Sequence, residues 1–282
     1  MKCLKITLAF VLLTCSGFAA EPGQLTADEA KVLESARAAA MHYTQLLPDF
    51  ICTQITHRST SRIINSTTTL GAGISGRSPI AGMANAPGYS SDLIEEQLTF
   101  VGGKESYDVL TVNGRKVPGM DHMHLAGAIS AGEFGSALEE VFDPRSHTTF
   151  SWNREETHHG HREWVFAFHV PKDAGSTIVY RDSDNEIPVS YSGRIFIDTA
   201  TYDVLEISSK YDLPPDFPIK LVERKVDYTT QQIAGKSYSL PARSLVHVED
   251  GANDYDNRID FKNYHRFASE STIHFNNEAP HQ

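Results

Sequence analysis

Residues 41–58 read MHYTQLLPDFICTQITHR, and the hydrophobic period changes inside them. Upstream, Val32/Leu33, Ala36, Ala39/Ala40, Tyr43 and Leu46/Leu47 recur at helical spacing, one apolar stripe about five turns long. Thr26 and Glu29 stand at capping-box spacing ahead of it. Pro48 disfavours helical geometry at Leu47 and ends the run. From Phe50 the residues are rich in β-branched side chains, and FICTQITHRSTSRII predicts one long strand. Phe50, Cys52 and Gln54 share one of its faces, and Ile51, Thr53 and Ile55 the other. No His or Lys adjoins Cys52 to activate its thiol, so Cys52 is expected in the core.

Outward from this junction the chain is mainly β. Residues 69–91, TLGAGISGRSPIAGMANAPGYSS, have no usable period and predict a mobile loop. Asp92–Val101 and Tyr107–Val112 read as paired strands, and Asn113-Gly114 as a tight turn. Ser130–Phe142 reads as a second helix ended by Asp143-Pro144, with Phe134, Leu138, Val141 and Phe142 on one side. After Ser146 short strands follow one another with turns at DTATYD, LPPDFP and IAGKSY; the acidic EDGANDYDN separates the last two long ones. Strands without intervening helices predict antiparallel pairing. A sheet with one dry face needs a cover, and the two helices are the covers on hand. The expected fold is α+β, mainly β: a curved antiparallel sheet, or half-barrel, over residues 21–282, covered by a long N-terminal helix and a short second one.

The first twenty residues carry Lys2 and Lys5, a short apolar run and the small residues Gly17, Ala19 and Ala20. That is the layout of a secretory signal, which predicts a periplasmic or secreted protein. A less favoured reading makes Cys15 a lipidated first residue. After plain cleavage Cys52 is the remaining cysteine, and the formal charge moves from −11 to −13 with the loss of Lys2 and Lys5. Such a balance opposes binding to nucleic acid or an anionic membrane surface through a global field. No later apolar stretch approaches spanning length.

Two histidine groups invite a metal reading. His158, His159 and His161 lie around Gly160, and His122 and His124 follow Asp121. The His158–His161 group has no cysteine or well-spaced carboxylate to complete a tetrahedral set, so a solvated turn is favoured there. Asp121 could orient His122 or His124, but a polar loop before the second helix is favoured, and no cofactor is expected. The DSDNE run at 182–186 lacks the glycine of a calcium loop and reads as a hairpin turn. Nucleophile-elbow, phosphate-loop, zinc-protease and dinucleotide motifs do not occur.

The stretches YTQLLPDFICTQITHR, GEFGSALEEVFDP, GRIFIDTATYDVLEI, LPPDFPI and DYTTQQIAGKSYSLPARS together resemble a family of uncharacterised exported bacterial proteins. The order of elements more distantly resembles the periplasmic LolA/RseB-like lipoprotein carriers and sensors. That resemblance implies an incomplete barrel whose concave apolar face accepts acyl chains, with a lipid or lipoprotein as partner. No carrier hook or arginine arrangement carries over residue by residue. Trp152, Trp164, Phe166, Phe168, Phe134 and Leu138 are the candidate ligand-lining residues, against the plainer reading of a packed core. The expectation is a non-enzymatic binding protein. Its alternatives are an envelope sensor or scaffold binding a protein, and a metal-dependent enzyme using His122/His124 or His158/His161.

Overall fold

The computed structural model describes residues 25–63, 88–125, 127–129, 133–134, 136–158, 160–180 and 185–267. The predicted leader at 1–20 and most of the predicted loop at 69–91 lie outside them. Helix α1 (Ala27–Leu46) starts at the predicted capping box: Glu29 N donates to Thr26 Oγ1, and Thr26 N to Glu29 Oε2 at 2.8 Å. It stops where Leu47 turns extended before Pro48. Its buried stripe is Val32, Leu33, Ala36 and Ala40.

The strands are β1 (Phe50–Arg62), β2 (Tyr89–Val101), β3 (Lys104–Val112), β4 (Arg115–Lys116), β5 (Thr149–His158), β6 (His161–Val170), β7 (Ser176–Tyr180), β8 (Asn185–Val189), β9 (Tyr191–Asp198), β10 (Val204–Tyr211), β11 (Leu221–Ile233), β12 (Lys236–Glu249) and β13 (Asn253–Arg266). Eleven form one antiparallel sheet in the order β4-β3-β2-β1-β13-β12-β11-β10-β9-β6-β5, and β7–β8 is a separate hairpin. The first long strand thus pairs with the last. Register shifts at Ile51–Thr53, Glu95–Glu96, Trp152–Arg154, Val204–Glu206 and Asp227–Tyr228 add twist, and the sheet curves without closing into a barrel.

Three expected boundaries move. The second helix, α2, is Ser136–Phe142, so Phe134 stands in a turn before it rather than on it. Glycine at 135 has low helix propensity, and the Phe134 amide is instead taken by Glu105 Oε1 at 3.0 Å. Strand β2 begins at Tyr89, inside the predicted loop. Strand β13 begins at Asn253, inside the acidic run read as a spacer; the Asp250 carboxylate accepts from Ala252 N and Asn253 N, closing a tight turn.

Three apolar clusters line the buried face. Under α1 and α2, Val32, Leu33, Ala36 and Ala40 meet Leu138, Val141, Phe142, Phe166, Phe168, Ile195 and Ile207. Gly193 leaves room for its neighbours in the sheet: a Cβ there would lie 1.8 Å from the Ser208 carbonyl oxygen and 2.7 Å from the Phe168 ring. A second cluster gathers Phe50, Cys52, Leu98, Phe100, Phe134 and Phe261. The third is small: Ile94, Val109 and Leu125, with Val112, Val117 and Ile129 half-buried around it. No helix among the described residues is long and apolar enough to cross a membrane.

Candidate functional site

The sequence-selected aromatics are placed unequally. Phe166, Phe168 and Leu138 come together in the first cluster, with Trp164 packed against it. Phe134 belongs to the second cluster, tilted against Phe50 at 5.3 Å. Trp152, on the end strand β5, stays 36 % exposed and sets its ring edge-on to Trp164 and Phe166 at 5.2 and 5.6 Å. The histidine groups separate. His122 and His124 sit on a short 3₁₀ turn capped by Asp121, which points His122 inward and leaves His124 exposed beside Asp121. His161 lies 2.6 Å from Asp198 Oδ2, across from His158 in the β5–β6 ladder.

Toward the β3–β4 end of the sheet, Val117, Leu125 and Ile129 from between β4 and α2 pack on Ile94 and Val109 of the buried face. Here an open cleft of ≈ 700 Å³ is lined by Arg58, Val112, Asn113, Arg115, Val117, Met120, His124 and Leu125. Its geometry follows from local sequence. Asn113 and Gly114 take φ of 53° and 73°, the left-handed pair of a tight hairpin, and turn β3 back into β4. The Asn113 side chain fixes that turn to β2, accepting from Leu93 N and donating to Asp92 Oδ1, both at 2.9 Å. Arg58 pairs with the other Asp92 oxygen at 2.6 Å. These donors, Arg58 first and then Asn113, hold the Asp92 carboxyl below its ordinary value against the opposing effect of burial. The walls are apolar at Val112, Val117, Met120 and Leu125. Among the described residues the charged lining groups are basic, and no carboxylate lines the cleft.

Behind the cleft lies a polar floor. Glu96 is 1 % exposed, yet it stands in the inward phase of Ile94, Leu98 and Phe100. It accepts from Gln54 Nε2 at 2.8 Å, and its other oxygen lies 2.7 Å from His122 Nδ1. The Tyr107 ring stacks on the His122 ring at 4.3 Å. A pocket of ≈ 20 Å³, lined among others by Gln54, Thr56, His122 and Asn257, adjoins the cleft through Arg58 and Leu125. That is room for about one water. Asn257 Oδ1 is buried beside it with no hydrogen-bond partner among the described residues, while its Nδ2 donates to the Ala128 carbonyl at 2.8 Å.

Of the residues singled out from sequence, His124 lines the cleft and His122 its floor, both as metal candidates; none of the ligand-lining candidates Trp152, Trp164, Phe166, Phe168, Phe134 and Leu138 lies there. A signal for its floor existed: Gln54 and Glu96 are polar residues in the inward phase of strands otherwise apolar there. The walls carried none, because Val117, Met120 and Leu125 come from irregular chain with no period.

Beyond the described geometry, the burial of Cys52 agrees with the core expectation; burial first, then the nearby Glu105 charge, pushes its thiol well above the ordinary value.

No family model matches the chain. No curated relative matches it. Two solved structures are similar in chain path. One is described as an outer membrane lipoprotein-sorting protein domain from Vibrio parahaemolyticus, 13% identical, with a TM-score of 0.39, covering 86% of this chain and 94% of that one. The other is a DUF1329 family protein from Desulfovibrio piger, 12% identical, with a TM-score of 0.36, covering 85% and 95%.

Proposed function

We propose that this chain is an exported binding protein that holds an amphiphile, a lipid, acyl chain or lipoprotein anchor, with its apolar part in the cleft beside β3 and β4. The observation that carries this reading is the lining: four apolar side chains, Val112, Val117, Met120 and Leu125, with Arg58, Arg115 and His124 at their edges. A cleft of that volume is within the range of small-molecule sites. Each methylene taken from water contributes about 0.8 kcal/mol. Among the lining groups Arg115 suits an anionic head, since Arg58 is paired with Asp92 and His124 stands beside Asp121. The leader-like residues 1–20 fit delivery to the envelope, periplasmic or secreted.

The test is native mass spectrometry of protein purified from the producing cell's envelope, with lipid analysis of the extract and titration of the emptied protein with a fluorescent fatty acid. A near-stoichiometric apolar ligand is expected. Val117→Arg, which places a charge on the apolar wall, should weaken fatty-acid binding by about tenfold or more, since burying a charge there costs more than 1.4 kcal/mol. A ligand-free mass together with unchanged weak binding in Val117→Arg would sink the proposal.

A second reading, an envelope sensor or scaffold with a protein partner, is favoured by one feature. Strand β5, ten residues long, is an end strand of the sheet among the described residues, with Trp152 partly exposed on it. It predicts a co-purifying protein and no ligand mass.

A further inference from the structure

The outward face of the sheet carries a group of donors that the cleft does not use. The tight Asp250–Ala252 turn sets the register of β12 against β13, placing His247 opposite Asp256 and Glu249 opposite Asp254. All four face away from the apolar clusters, since Val246, Asn257 and Ile259 take the buried phase. His247 Nδ1 lies 2.9 Å from Asp256 Oδ1 and 3.3 Å from Asp254 Oδ1, and Nε2 lies 3.5 Å from Glu249 Oε1. One ligand atom from each of His247, Asp254 and Asp256 falls within 4.8 Å of the others. The Asp254 side chain is 31 % exposed, but its Oδ1, the oxygen facing His247, is itself buried and accepts no hydrogen bond among the described residues. Three carboxylates thus face one imidazole. Lys210 and Lys225, on nearby outward positions, are paired with Glu223 and Glu206 instead.

We infer that His247, Asp254 and Asp256, with Glu249 beside them, form a binding site for a first-row divalent cation of the zinc type. An imidazole nitrogen with carboxylate oxygens is a donor set for zinc and its neighbours rather than for the all-oxygen preferences of calcium or magnesium. The cation takes the place of a proton on the ring, which passes to solvent, and adds one further positive charge among three carboxylates. Water completes the coordination on the exposed side. Both strands contribute, so the ion clamps the β12–β13 pair. This site is separate from the His122/His124 and His158/His161 groups and does not rest on the proposed ligand of the cleft.

The experiment is calorimetric titration of the full mature chain, freed of any affinity tag and stripped with chelator, with zinc chloride in a non-coordinating buffer. The variant His158→Ser/His159→Ser/His161→Ser serves as background, so that turn histidines contribute no heat. One zinc per chain is expected there, with affinity lost at least tenfold in His247→Gln and in the near-isosteric Asp256→Asn. Paramagnetic broadening by manganese(II) should centre on the amides of 247, 254 and 256. Should His247→Gln fail to fold, Asp256→Asn and the broadening map decide. Absence of one-to-one binding, or binding untouched by Asp256→Asn, would overturn the inference.

Discussion

The buried face of the sheet is covered in two different ways. Over β6, β9, β10 and β11 lie α1 and α2, and the space between is filled by side chains such as Leu138, Phe142, Phe166 and Ile195. Over β2 and β3 lies irregular chain, with the small cluster of Ile94, Val109 and Leu125 and a cleft of ≈ 700 Å³ beside it. A helix brings a continuous stripe that can interdigitate with a strand face; a loop brings isolated side chains and must satisfy its own backbone. The polar groups differ accordingly. In the helix-covered half, burial works against the charge of Arg224, yet Tyr211, Glu133, Glu140 and Tyr228 outweigh it and hold its pKa above the ordinary value. In the loop-covered half, Glu96, Gln54 and His122 form a compact group next to open space. The same sheet is closed at one end and accessible at the other.

Truncation is the harshest test of that contrast. Phe166→Ala, at a fully buried position, should cost about 3–5 kcal/mol in denaturant unfolding, because the α1 and α2 packing cannot collapse into the void. Leu125→Ala should fall near the low end of the leucine range, about 2 kcal/mol, because water from the cleft can occupy the space. Equal losses would mean that the two halves are packed alike. Of comparable or smaller size is Glu96→Leu, which leaves the Gln54 amide and the His122 ring without their acceptor; about 1–3 kcal/mol is expected. If Glu96→Leu stabilises the protein, the polar floor has no structural role and is kept for the cleft.

Much of the fold was legible because its elements obey local rules. Thr26 and Glu29 announce α1, Pro48 ends it, and Asn113-Gly114 marks the β3–β4 turn. What was not legible depends on partners distant in sequence. Asp254 and Asp256 read as spacer because aspartate is depleted in strands; pairing to β12 overrides that preference and puts them opposite His247. Phe134 read as helical because of its spacing to Leu138, yet it fills the second cluster from a turn, held by Glu105 of β3. Trp152, Trp164, Phe166 and Phe168 stand out in the sequence by alternation, which identifies an inward face but not what covers it. Phe166 and Phe168 meet helices there, whereas Val117, Met120 and Leu125 of the cleft wall come from irregular chain with no period to read.

The subtlest expectation separates the halves by pH. Asp92 has a lowered pKa through Arg58 and Asn113, so its lock on the β3–β4 turn is fully present above the unfolded value of about 4 and is lost as pH falls through the folded one. Tyr191 and Tyr228 have raised values, through burial first in each case. A raised phenol contributes stability that is full below the unfolded value of about 10 and is lost as pH rises toward the folded one. Acid should therefore loosen the cleft end first, and alkali the helix-covered end. Amide exchange read by mass spectrometry should show the segment around Asn113 opening below about pH 4 while β11 stays protected. Strand β9 is no reference in acid, because against the effect of burial the Ala200 amide, His161 and the Thr201 amide hold the Asp198 carboxyl at its end below the ordinary value. Above about pH 10 the order should invert, with β9 and β11 opening while the β3–β4 turn holds. Simultaneous opening at both extremes would show one cooperative unit, in which the cleft could not release its occupant without unfolding the helix-covered core. Sequential opening would give the cleft end an independent motion, and with it a route for an amphiphile to enter and leave.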